Sequence, residues 1–134
     1  MKYLFMLLFL PVAYNCFGQN LQSLDTIQPP ADYENIYFRP VYSDSLVSSF
    51  VIFVKKQVRE HKHVTHTEHV YILDGTGEMT LDKKTFPVKK GDVISIPKNT
   101  FHSLKTTSVT PIKVFSLQAP VFDGKDRVFA EEKK

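Results

Sequence analysis

The chain reads as an all-β protein, a small barrel or sandwich. Short runs rich in Val, Ile, Phe, Tyr and Thr recur along it, and turn residues separate them at close intervals. No stretch carries the periodicity of an amphipathic helix. With 134 residues there is room for one domain around one core.

The first element is not part of that domain. Lys2 precedes an almost wholly apolar run, Tyr3 to Ala13, followed by small residues near Cys16-Phe17-Gly18 and then polar Gln19-Asn20. The run is too short to span a bilayer and has the flanks of an export signal. Residues 1–18 are therefore read as a signal peptide, cleaved after Gly18 to give an exported, periplasmic or secreted protein with no membrane attachment. Lipidation at Cys16 is the competing reading, but Ala13-Tyr14-Asn15 fits a lipoprotein signal poorly. Cleavage after Gly18 would remove the chain's single cysteine. Disulfides, thiolate catalysis and cysteine-based zinc sites would then all be excluded.

Residues 19–33, with Pro29-Pro30, read as an extended linker or N-terminal arm. The β domain is expected over residues 34–122. Its candidate strands are Asn35–Tyr42, Ser48–Val58, His69–Leu73, Glu78–Leu81, Phe86–Val88, Asp92–Ile96, His102–Lys105 and Ile112–Leu117. Turns fall at Asp74-Gly75-Thr76-Gly77, Asp82-Lys83-Lys84, Lys89-Lys90-Gly91 and Pro97-Lys98-Asn99. Residues 123–134 form a charged tail, and the segment after Pro120 is expected to give a final strand or arm with a frayed end. The net charge is +3, with lysines at the extreme ends supplying much of the excess. There is thus no basic stripe to argue for nucleic acid.

The chemistry lies in two stretches, His61-x-His63-x4-Glu68-x6-Gly75 and Gly91-x5-Pro97-x-Asn99-x2-His102. Residues two apart on a strand point to one face, so His61 and His63 can reach one point. Glu68 shares the inward face of the next strand with Val70 and Ile72, while His69, Tyr71 and Leu73 share the other. His102 opens a further strand after a turn. If these strands are neighbours, three imidazoles and a carboxylate converge in a set that suits Fe, Mn, Ni, Cu or Zn. A lone histidine in a sheet is usually a surface or hydrogen-bonded core residue. The combination of four at this spacing points to a divalent transition metal. His66 is expected to be solvated or just behind the ligands, and His69 structural. Tyr71, Phe53, Phe101 and Phe115 are candidate pocket aromatics, against a plain core-packing explanation.

These stretches resemble the two motifs of the cupin superfamily, in which Gly, His-x-His, Glu and Gly are followed by Gly, Pro, Gly, His and Asn at like spacing. His61, His63, Glu68 and Gly75 match the first motif, and Gly91, Pro97 and His102 match the second. Lys55 replaces the leading Gly, Asn99 the internal Gly, and Thr106 the final Asn. Asn tolerates a left-handed turn better than most residues, so the Asn99 departure is mild. The resemblance is to small single-domain bacterial cupins. It implies a jelly-roll (double-stranded β-helix) barrel of about six to eight strands, with His61, His63, Glu68 and His102 binding metal in its mouth. Many such proteins are dimers, which leaves a homodimer open. The segment Ala119 to Asp126 looks like the end of many small cupins and is given no catalytic role.

Fold does not set function, and three functional classes follow. One is a metal-dependent enzyme (dioxygenase, isomerase or lyase) acting on a small organic molecule. Another is a non-catalytic protein that binds a small ligand or the metal itself. The third is a structural or partner-binding barrel whose unmetallated histidines would repel one another on protonation near pH ~6.5.

Overall fold

The computed structural model describes residues 21–131, so the expected export signal and Cys16 lie outside the described residues. Ten strands follow a short 3-10 turn at Leu24–Thr26: β1 (Ile36–Ser43), β2 (Ser48–Val54), β3 (Gln57–His63), β4 (Thr67–Asp74), β5 (Thr76–Leu81), β6 (Lys84–Lys89), β7 (Val93–Ile96), β8 (His102–Thr106), β9 (Ile112–Ala119) and β10 (Arg127–Phe129). They form two five-stranded sheets, ordered β1-β2-β9-β4-β7 and β10-β3-β8-β5-β6, in a jelly roll. All the strand pairs are antiparallel. The strand number exceeds the six to eight expected because one expected strand divides into β2 and β3 and the C-terminal segment adds β10. Pro40 lies on the edge strand β1, where the register shifts, and Pro87 on the edge strand β6. An edge position is where a missing N–H costs least.

The expected strand Ser48–Val58 is in fact two strands in different sheets. Between them the chain turns a corner at Lys55-Lys56, held by Asn35. Asn35 accepts from Lys55 N through its backbone oxygen and from Lys56 N through Oδ1, at 2.8 and 2.9 Å, and its Nδ2 donates to Gln57 O. Thr106 braces the same corner from β8, its hydroxyl donating to Val54 O and its amide to Lys56 O, both at 2.8 Å. No Gly or Pro marks this corner, so turn chemistry alone does not reveal it.

Val54, Val70, Ile72, Met79, Ile96, Leu104 and Val114 fill the space between the sheets. Alternation along β4 sends Glu68, Val70 and Ile72 inward, as expected. A second cluster covers the opposite face of β2, where Ile27 from the N-terminal arm packs on Val51 and Phe53. This is why β2 is buried on both faces, and it makes the described part of this segment, residues 21–33, a packed arm. Buried Lys113 fixes the arm: its Nζ donates to Leu24 O at 2.7 Å and Ile27 O at 3.0 Å, and lies over the Phe53 ring. Among the described residues no helix is long and apolar enough to cross a membrane.

Lys113→Ala removes both hydrogen bonds and leaves two carbonyls to find water. We expect a loss of about 1–3 kcal/mol in urea unfolding, together with faster proteolysis within residues 21–33. An unchanged cleavage rate there would show that the arm is held by Ile27 alone.

Candidate metal centre

The inward aim of His61 depends on an irregularity. In the pairing of β3 with β8, Val58 faces Leu104 but His61 faces His102, so β3 carries one extra residue between them. Val58 and His61 are three apart, and a regular strand would place them on opposite faces. The bulge brings both to the cavity. It also turns the Arg59 carbonyl toward the imidazole, and His61 Nδ1 lies 2.8 Å from Arg59 O. His63 follows two residues later on the same face. The Gly75 and Asn99 turns act at either end of this frame. Gly75 has φ +81°, and a Cβ there would meet the Ile112 Cα at 3.0 Å. Asn99 adopts φ +64°, the left-handed conformation its side chain tolerates, and its amide donates to His63 O at 2.6 Å.

The structure brings the four sequence-predicted residues together. His61, His63 and His102 come from one sheet and Glu68 from the facing one. All four are buried. Ring centroids of His61 lie 4.3 Å from His102 and 5.0 Å from His63. One nitrogen from each of the three imidazoles falls within 4.8 Å of the others. Glu68 Oε2 is 3.5 Å from His63 Nε2 and 3.4 Å from His102 Nε2.

The hydrogen bonds around the cluster decide which atoms face inward. A carbonyl oxygen can only accept, so His61 donates from Nδ1 to Arg59 O, and His102 donates from Nδ1 to Thr100 O at 3.0 Å. His63 Nδ1 points at the Asp126 carboxylate, 3.4 Å away. Each ring therefore carries its proton on Nδ1 and presents an Nε2 lone pair to the centre. Glu68 is arranged alike: Oε1 accepts a short hydrogen bond from Ser116 Oγ and another from Gln118 Nε2 at 3.2 Å, leaving Oε2 for the cluster. His63 Nε2 and His102 Nε2 are buried and have no hydrogen-bond partner. Buried lone pairs facing a carboxylate oxygen call for a cation between them. These residues fit a divalent transition metal, and their identity leaves open which one.

Burial lowers the His61 pKa from 6.5 to about 4, and the neighbouring His102 adds to the fall. Burial alone would raise Glu68, yet its carboxyl is held well below its ordinary range, by His102 and His63 when those rings are protonated and by the Ser116 hydroxyl. At neutral pH His61 is thus neutral and Glu68 is a carboxylate.

Sequence reasoning missed Asp126. Its run of charges reads as a solvated tail, yet β10 pairs with β3, placing Arg127 opposite His63 and Phe129 opposite His61. The Asp126 side chain is only 7% exposed. It takes Thr65 N and Oγ1 on Oδ2 and lies 2.8 Å from His66 Nδ1. Hydrogen bonds from Thr65 outweigh the effect of burial and pull its pKa down. His66 is therefore not solvated; it is 1% exposed and stacks against His63 with ring centroids 4.0 Å apart. No local pattern reveals this, because it depends on a strand from the far end of the chain. His69 points outward as expected and is exposed. The expected pocket aromatics do not line the cavity. Phe53 and Phe115 sit in the outer cluster and Tyr71 is exposed, whereas Phe38, Phe50 and Phe122 line the cavity instead.

Two outcomes follow for the metal-free and metal-loaded protein. Between pH 6.5 and about 4 the unfolded chain binds a proton at His61 that the folded chain refuses, so stability falls as pH is lowered through that window. Glu68 adds a loss in the same direction below its ordinary 4.5. Urea midpoints of metal-free protein should fall steadily across this range, and a flat profile would contradict a buried neutral His61. Asp126→Ala should weaken divalent-metal affinity by roughly 10- to 100-fold in competition with a chelating dye. Equal affinity would mean that the tail carboxylate does not orient His63.

With the geometry in view, comparison with known proteins places the chain. The cupin domain family model matches residues 50–118. An uncharacterised protein of Methanocaldococcus jannaschii is 42% identical over 71 residues, covering 53% of this chain and 57% of the relative. The match thus spans little more than half the length of that relative. A Klebsiella pneumoniae protein with a double-stranded β-helix domain superposes with a TM-score of 0.70 at 17% identity, covering 85% of this chain and 99% of that one. Pac13 of Streptomyces, described as a nucleoside dehydratase, gives 0.64 at 19% identity, covering 76% and 85%. At such identities these two structures show the fold. Family match, fold and motif residues agree, and the chain belongs to the cupin family.

Proposed function

We propose that this cupin is a metal-dependent enzyme acting on a small organic molecule. His61, His63, Glu68 and His102 hold a divalent transition metal. One observation supports this most strongly: the Nδ1 atoms of His61 and His102 donate to backbone carbonyls and that of His63 faces a carboxylate, so the Nε2 lone pairs converge beside Glu68. A bound metal would supply Lewis acidity or a redox centre and orient the substrate. The chain's own residues would shape a cavity of about 220 Å³ against the cluster, keep water from it with apolar walls, and keep Glu68 ionised. Pac13, a nucleoside dehydratase of the same fold, supports a barrel of this kind acting on a small organic molecule. The apolar run behind Lys2 supports export, with Gln19 as the mature N-terminus.

Elemental analysis of protein recovered from the extracytoplasmic fraction, with N-terminal sequencing of the same sample, tests this reading. We expect about one metal ion per chain, none in a His61→Ala/His63→Ala double variant, and turnover that stops when a chelator strips the metal. A His102→Ala variant with full activity, or metal-free protein as isolated, would contradict it. Retention of a bound ligand without turnover would favour the non-catalytic binding class instead.

A further inference from the structure

The cavity walls narrow the substrate class. Most lining side chains are apolar, Phe50, Ile52, Val70, Met79 and Leu104 among them. The rim is apolar too: Ile36 and Phe38 line the cavity while remaining 43% and 60% exposed. Beyond the four cluster residues, the only polar lining residues among the described residues are Gln118 and Arg127. A dry apolar cavity of roughly 150 Å³ accepts a benzene ring, so about 220 Å³ leaves space for one ring and a short substituent.

Gln118 adds a specific demand. Its Nε2 donates to Glu68 Oε1 and Ser116 Oγ, both at 3.2 Å. Turning the amide over would set its oxygen against the carboxylate oxygen, so this orientation is fixed by the network. Gln118 Oε1 is then buried and has no partner, on a residue only 3% exposed. It requires a hydrogen-bond donor, and it sits beside the carboxylate that closes the cluster. Charge completes the picture. An imidazole that ligates through its lone pair is neutral, so a divalent ion beside one carboxylate would leave a single net positive charge, and Arg127, which also lines the cavity, adds another. That field favours an oxyanion.

We infer that the cavity takes a small, largely apolar molecule of about one ring, bearing an oxyanion and a hydroxyl at its cluster end. Sugars and nucleosides do not suit it. Their several hydroxyls would meet apolar walls, and each left without a partner reduces binding by roughly tenfold. This inference rests on the metal reading for the oxyanion, and on Gln118 and the walls for the rest.

Phenylacetate and mandelate differ by one hydroxyl and serve as probes, with uridine and glucuronate as polar comparisons. Dissociation constants are measured by calorimetry on the metal-loaded protein, with metal content determined on the same samples. We expect mandelate to bind roughly tenfold more tightly than phenylacetate, and uridine and glucuronate more weakly than both. In Gln118→Leu the mandelate preference should shrink to near unity while phenylacetate still binds. A preference that survives in Gln118→Leu at equal metal content would overturn the role of Gln118. Tighter binding of uridine or glucuronate would overturn the inference and leave the metal reading standing. The rank order in unaltered protein decides the matter even where the variant sheds metal. Protein that holds no metal yet keeps the rank order contradicts the metal reading alone. Protein that holds no metal and binds no probe contradicts both.

Discussion

Two imidazole nitrogens with exposed lone pairs cannot rest beside a carboxylate oxygen in a dry interior unless a positive charge lies among them. In this barrel, His63 Nε2 and His102 Nε2 stand 3.5 and 3.4 Å from Glu68 Oε2, all three residues buried. Much of the surrounding architecture serves that arrangement. The β3 bulge turns His61 inward and supplies the Arg59 carbonyl for its Nδ1. The left-handed Asn99 turn delivers His102 and ties back to His63 O. Ser116 and Gln118 hold one oxygen of Glu68, which fixes where the other points. Removing such supports costs binding through disorientation of ligands rather than through loss of a ligand.

The two ends of the domain complete the barrel from opposite sides. The N-terminal arm packs Ile27 on the outer face of β2 and is held by Lys113, which protects the sheet carrying Glu68. The C-terminal segment adds β10 to the sheet carrying the histidines, and Asp126 braces His63 and His66 from there. The cavity that results is apolar at its rim and walls and polar at one end. That polarity gradient carries more information about a ligand than the fold does, since cupin barrels serve many chemistries.

Much of this was legible in the sequence for a simple reason: period-2 alternation and turn residues are local. Glu68, Val70 and Ile72 face inward as alternation along β4 requires, and Gly75, Gly91 and Asn99 all adopt positive φ. The four clustered residues were legible because strand parity and motif spacing reinforce each other. What failed was nonlocal. The Lys55-Lys56 corner depends on Asn35, some twenty residues earlier, and carries no Gly or Pro to signal it. His66 and Asp126 are partners only because β10 crosses to β3. For Phe53 and Phe115 the sequence leaves pocket and plain core packing open, and parity puts them on the outer face, packed under the arm.

The central claim is that one cation sits among three Nε2 atoms and Glu68 Oε2. Anomalous diffraction at metal absorption edges, from crystals of the protein as purified, addresses it directly. We expect a single strong peak within bonding reach of His61, His63 and His102 Nε2 and of Glu68 Oε2, with the three Nδ1 atoms still turned outward. A peak bonded through Nδ1, a peak between His66 and Asp126 alone, or no peak from protein shown by elemental analysis to hold metal would contradict it.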